Sequence, residues 1–252
     1  MKYQINFISQ VNLEKHVEET IDSYGQILKS INLKRFNSNI IDPIKLLFDK
    51  NVYNKTYEEI INSEIFRQRD KSNTNVIGYF HQNIFSYIEN CTVPKEGWDV
   101  IYTDPSTNNK IYVEMKNKHN TMNSSSSQKT YIKMQNQIIE TPENNCFLVE
   151  VIAPVSRNIT WECCVDKVHV SNSKIRRVSI DKFYEIVTGQ KDAFFQLCSY
   201  LPYLIEKIVS ENNTLKAEQD TVMEDLKSID SNIQVALFKL AFSSYEGFDF
   251  SL

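Results

Sequence analysis

The chain has 252 residues, 41% of them apolar and 24% charged, with a net charge of −4. That is enough chain for a full hydrophobic core, and the acidic balance excludes a generic nucleic-acid coat, which needs positive charge over its whole surface. No apolar run approaches the about 20 residues of a membrane span, and residues 1–20 lack a signal-peptide layout because Glu14, Glu18 and Glu19 arrive early, so the expectation is a cytoplasmic protein with no membrane partner.

Residues 7–90 read as mainly helical. Apolar residues recur at spacings of three and four in Ile8, Val11, Val17, Ile21, Tyr24, Ile27, Leu28 and Ile31. Asp42-Pro43 opens a second helix, with Asp as the cap and Pro in the first position. A third is expected over 56–68. Asn73-Thr74-Asn75 interrupts the pattern, and a strongly apolar helix follows from Val76 to Ile88, with Gly78, His81 and Gln82 in its first turns.

Two β-prone runs come next, Trp98 to Thr103 and Ile111 to Met115. The stretch between them is rich in Asp, Pro, Ser and Asn, residues that bend the backbone or bond to it locally, so the pair reads as a hairpin. Residues 117–128 read as a loop and 131–140 as a helix. Asn145 to Ala153 is a continuous apolar run, hence a buried strand. Ile159–Val165 and Ile175–Ile180 look like strands nearer an edge. Asp181 starts a helix. Ala193 to Val209 and Leu215 to Phe242 read as helical, the former kinked or broken at Pro202. The order predicts an α/β (α+β) fold: a mixed central sheet flanked by helices, with helical additions at both ends. The expected division of a single domain over 1–252 is a helical part at 1–73, a core at 74–180 and a helical part at 181–252. The five cysteines are an odd count without zinc-type spacing, and they read mostly as buried thiols.

Chemistry concentrates in the hairpin. Asp99 stands near the start of the first strand, and Glu114 and Lys116 at the end of the second. Positions two apart leave the same face of a strand. An acid on each of two neighbouring strands can converge on one point, which is what a divalent cation with oxygen ligands needs. A lone Glu-x-Lys is often only a surface charge pair. Asp225-Leu226-Lys227 has the same spacing in a polar, helical stretch and carries no weight. Around the Glu114 copy, residues 110–133 hold Lys110, Lys116, Lys118, Lys129 and Lys133 against one acid, a local +4 in an acidic protein.

Asp99, fourteen residues, then Glu114-Met115-Lys116 resembles the PD-(D/E)xK nuclease pattern, with Trp98 where the motif has Pro. The stretch Val113-Glu-Met-Lys-Asn-Lys-His-Asn-Thr-Met-Asn-Ser-Ser-Ser-Ser-Gln-Lys-Thr-Tyr131, with Ile-Gly-Tyr-Phe-His-Gln-Asn upstream and Phe-Leu-Val-Glu-Val-Ile-Ala downstream, is similar to the Eco47II family of type II restriction endonucleases, well over 75–165 and loosely on the flanks. The resemblance implies Mg2+-dependent cleavage of both strands of double-stranded DNA at a short palindrome, GGNCC, alongside a cytosine DNA methyltransferase. It implies Asp99, Glu114 and the Met115 carbonyl as metal ligands, with Lys116 orienting or deprotonating the attacking water. Gln82 or His81 is a candidate to complete the site. Asn117, Lys118, His119, Asn120, Asn123, Lys129 and Lys133 are candidate DNA contacts, and Arg157, Arg176 and Arg177 are further candidates for reading guanine.

Two other readings compete. One keeps the fold and makes the chain a repair or structure-selective nuclease; the other makes it a DNA-binding protein without catalysis. A palindrome asks for a symmetric homodimer. The stripe Val222, Leu226, Ile229 and Ile233 is a candidate dimer face, against the alternative that it packs on its own domain.

Overall fold

A computed structural model describes residues 2–211, 215 and 217–245. The chain forms two compact units, residues 1–20 with 77–211, and 21–76 with 212–252. Their boundaries fall within two helices, α1 (Gln10–Ile27) and α4 (Tyr57–Asn83).

The first unit carries a six-stranded sheet of β1 (Cys91–Thr92), β2 (Val100–Thr103), β3 (Lys110–Lys118), β4 (Asn145–Ile152), β5 (Asn158–Val165) and β6 (Val168–Ser179), in the order β1-β2-β3-β4-β6-β5. β3, β4 and β6 run parallel, and β1, β2 and β5 are antiparallel to their neighbours. This is the mixed, helix-flanked sheet that the element order predicts. The parallel step from β3 to β4 requires a crossover, and α5 (Ser124–Glu140) supplies it.

α5 begins seven residues before the expected Tyr131. Asn123 caps it by accepting from the Ser126 N–H at 2.8 Å, so the serine run forms its first turn rather than part of the expected loop. β3 likewise extends through Lys118, leaving only 119–123 between strand and helix. Tyr131, Met134 and Ile138, spaced three and four apart, bury one face of α5 against Cys146, Leu148, Trp161 and Ile175 of the sheet. Burial of each such side chain contributes about 1.5–3 kcal/mol.

β5 and β6 form a hairpin around Asp166-Lys167. Both residues have positive φ, 48° and 69°, as a two-residue turn that matches strand twist demands. α6 (Ile180–Thr188) lies against β4 and β6 and ends at Gly189, whose φ of 72° suits the left-handed cap. α7 (Ala193–Glu211) runs through Pro202 as one helix. Cys163 is buried and Cys164 exposed, as adjacent strand positions require, and the five cysteines are free.

The second unit is helical. α2 (Leu33–Asn37) and α3 (Pro43–Val52) pack with α4, α8 (Val222–Ile229) and α9 (Ile233–Phe242). Asp42 caps α3, accepting from the Ile44 and Lys45 N–H groups. Three expectations change. The helices expected at 56–68 and 76–88 are one helix, α4, followed by a 3₁₀ turn at Ile84–Tyr87, because Asn and Thr cost only tenths of a kcal/mol inside a helix. The helix expected over Leu215–Phe242 begins at Val222 and is split at 230–232, where Asn232 caps α9; position 216 lies outside the described residues. Val222, Leu226 and Ile233 are buried in this unit's core with Phe36, Ile61 and Leu237, so that stripe is not a free face for a second copy.

Candidate active site

The site is built on the β2–β3 hairpin. Its turn is held by Asp104, whose Oδ1 accepts from the Ser106 N–H at 2.8 Å, while Asn108 adopts a φ of 59°. That turn sets the register Val100↔Val113, which places Asp99, just ahead of β2, beside Glu114 and Met115. The Asp99 N–H donates to the Val113 carbonyl at 3.0 Å, and its Oδ2 accepts from the Met115 N–H at 2.6 Å. Its own carbonyl accepts from Gln82 Nε2 at 3.2 Å. Three bonds from three directions therefore fix Asp99.

Val113 and Met115 are buried on one face of β3, and Glu114 and Lys116 leave the other. The Lys116 ammonium stands 3.7 Å from Glu114 Oε2, while Lys133, from α5, donates to Glu114 Oε1. Lys133 also donates to the Gly97 carbonyl and lies 4.1 Å above the Trp98 ring. Trp98 is held in turn by its Nε1–H donating to Gln137 Oε1 at 3.2 Å.

Burial pushes the Asp99 carboxyl above the usual carboxylate range; the Met115 N–H pulls it down and the Glu114 charge pushes it up. A partly desolvated carboxylate beside a second one favours a cation between them. The candidate donors are hard oxygens, two carboxylates and the Met115 carbonyl, a set that would suit Mg2+. Among the described residues no group of three or more His, Cys, Asp or Glu is placed to hold an ion; the acids at this point are two, Asp99 and Glu114.

The other candidates divide by their contacts. Gln82 reaches the site through the Asp99 carbonyl. The His81 ring lies edge-to-face with Phe80, and burial first, then the neighbouring His16, push its pKa down to about 4. Lys118, His119, Asn120 and Lys129 are exposed, and Asn117 lies in β3 rather than a loop. The Asn123 amide oxygen is engaged as the α5 cap.

Arg176 is held by Asn158, through Oδ1 and the main-chain carbonyl. Arg157 and Arg177 both bind Glu150, which is 1% exposed and stands in register with Lys116. Arg177 also donates to the His119 carbonyl at 3.4 Å, so this ion cluster braces the end of β3 and the turn after it. Sequence reasoning passed over Glu150, although a lone acid in the apolar run Phe147-Leu-Val-Glu-Val-Ile-Ala153 must find cationic partners if the strand is buried. It also names Lys133 only among several candidate DNA contacts, without the Glu114 partner that the structure gives it.

Comparison with known proteins points one way. The family model described as Eco47II restriction endonuclease matches residues 5–210. The chain is 30% identical over 220 residues to the type II restriction enzyme Sau96I of Staphylococcus aureus, covering 84% of each chain. It is 30% identical over 224 residues to the type II restriction enzyme Eco47II of Escherichia coli, covering 82% of this chain and 89% of that enzyme.

Proposed function

The chain belongs to the Eco47II restriction endonuclease family, and we propose that it is a type II site-specific deoxyribonuclease whose catalytic centre is Asp99, Glu114 and Lys116. The observation that supports the residue assignment is that Asp99, just ahead of β2, and Glu114, on β3, lie close enough for their charges to interact, with the Lys116 ammonium 3.7 Å from Glu114. The substrate is double-stranded DNA, cut on both strands at a short palindrome. GGNCC is the site that the family resemblance of 75–165 implies.

Asp99, Glu114 and the Met115 carbonyl are the ligands for Mg2+, which when bound acidifies a water and offsets the charge of the scissile phosphate. The protein's own groups do the rest. Gln82 fixes the Asp99 main chain, and the Met115 N–H fixes its carboxylate. Lys116 sits on the solvent-reachable side of Glu114, where its ammonium orients the attacking water and stabilises charge on the five-coordinate phosphorus. Asn117, Lys118, His119, Asn120 and Lys129, which follow Lys116 in the chain, are the residues proposed to hold the phosphate backbone or reach base edges. The enzyme acts as a homodimer in the cytoplasm, beside a cytosine methyltransferase that protects the same site. In the described residues no helix is long and apolar enough to cross a membrane.

Digestion of a sequenced plasmid with Mg2+, followed by mapping of the ends, tests this reading. Discrete fragments ending at GGNCC are expected. A smear, or cutting confined to branched or damaged DNA, would replace restriction with a repair role.

A further inference from the structure

Each carboxylate oxygen of Glu114 faces an ammonium, Lys116 at Oε2 and Lys133 at Oε1. Lys133 is the unexpected one. It comes from a different element, α5, 19 residues away in sequence. Its three polar or π partners, Glu114, the Gly97 carbonyl and the Trp98 ring, form a fitted seat for a cation. With Asp99 and Glu114 ionised, the two lysines bring the local charge to zero. A divalent ion approaching Glu114 therefore meets two positive groups, and Oε1 is already taken.

We propose that Lys133 is an internal competitor of the divalent cation for Glu114, released when a DNA phosphate offers its ammonium a better anion. This rests on the metal-binding reading of Asp99 and Glu114 above. The side chain is placed for the exchange: it is 39% exposed, against 14% for Glu114, so its ammonium can leave Glu114 and the Trp98 ring and swing towards solvent on its flexible stem. The consequence is positive coupling. The ion binds poorly while Lys133 sits on Glu114, and the phosphate backbone that removes Lys133 opens the ligand oxygen. Lys133 is thus a positioning residue that makes loading of the site conditional on DNA.

The test reads metal binding, not cleavage. Free Mn2+, an oxygen-ligand surrogate for Mg2+, is titrated by paramagnetic resonance into the wild type, Lys133→Met, Lys133→Gln and Lys133→Arg without DNA. It is then titrated with a duplex bearing a non-hydrolysable phosphonate at the mapped cut. Lys133→Met and Lys133→Gln should bind Mn2+ about tenfold tighter than wild type without DNA, the low end of what one unit charge at contact distance exerts near a surface. Lys133→Arg should match wild type, and the duplex should tighten Mn2+ binding more in the wild type than in the two neutral variants. Equal Mn2+ affinity in wild type and both neutral variants without DNA would overturn the competitor role while leaving the metal site standing. No Mn2+ bound by any of the four proteins, with or without duplex, would overturn the metal site itself and the competitor with it.

Discussion

Glu150 is buried, 1% exposed, between Arg157 and Arg177. Removing one member of such a buried cluster strands the others, at a cost of about 3–5 kcal/mol. Glu150→Ala should show that loss in urea unfolding, whereas Glu114→Ala, at the cation-lined surface, should cost far less. His81 carries a pH dependence. Its folded value of about 4 lies below its ordinary 6.5, so the neutral ring contributes stability at pH 7 that is lost as pH falls from about 6.5 towards 4. The difference amounts to at most about 3 kcal/mol. His81→Asn should flatten the fall in unfolding free energy between pH 7 and pH 5; an unchanged slope would assign it elsewhere. That Asp99, Glu114 and Lys116 meet at one point was legible in the sequence, because strand spacing fixes which side chains share a face. The Lys133–Glu114 pair was not, because it depends on how a helix face registers over a strand, which no local pattern records.

Elements were legible where the chain punctuates itself. Asp42-Pro43 opens α3 as its residue types require, and the Asp104-to-Asn109 turn makes the hairpin. They were less legible where polar residues sit inside a helix. The Asn-Thr-Asn of α4 and the serines of α5 resemble breaks in isolation, and the tertiary face they extend overrides that weak preference. The α5 cap separates two roles for Asn123. As a cap, Asn123→Ala should cost about 1 kcal/mol and Asn123→Ser should be near neutral for both stability and DNA affinity. A large loss of DNA affinity in Asn123→Ser at unchanged stability would instead make it a base contact. In the β5–β6 turn, Lys167 holds a φ of 69° that glycine adopts without penalty. Lys167→Gly should therefore raise stability by roughly 0.5–1 kcal/mol, seen as a higher urea midpoint.

For the whole molecule, the acidic net charge of −4 with a basic stretch at 110–133 fits a protein that binds DNA through one local surface. Leu226, fully buried in the helical unit, is core and not interface. Leu226→Ala should cost about 2–5 kcal/mol in unfolding while leaving the sedimentation behaviour of the folded protein unchanged; dissociation without destabilisation would return that stripe to the dimer surface. The most direct test of the central claim is single-turnover cleavage, with Mg2+, of a duplex carrying the mapped site by wild type, Glu114→Ala and Lys116→Ala, with DNA binding measured in parallel. The account predicts no cutting by either variant, with Lys116→Ala still binding the duplex. Wild-type cutting rates in Glu114→Ala would contradict it.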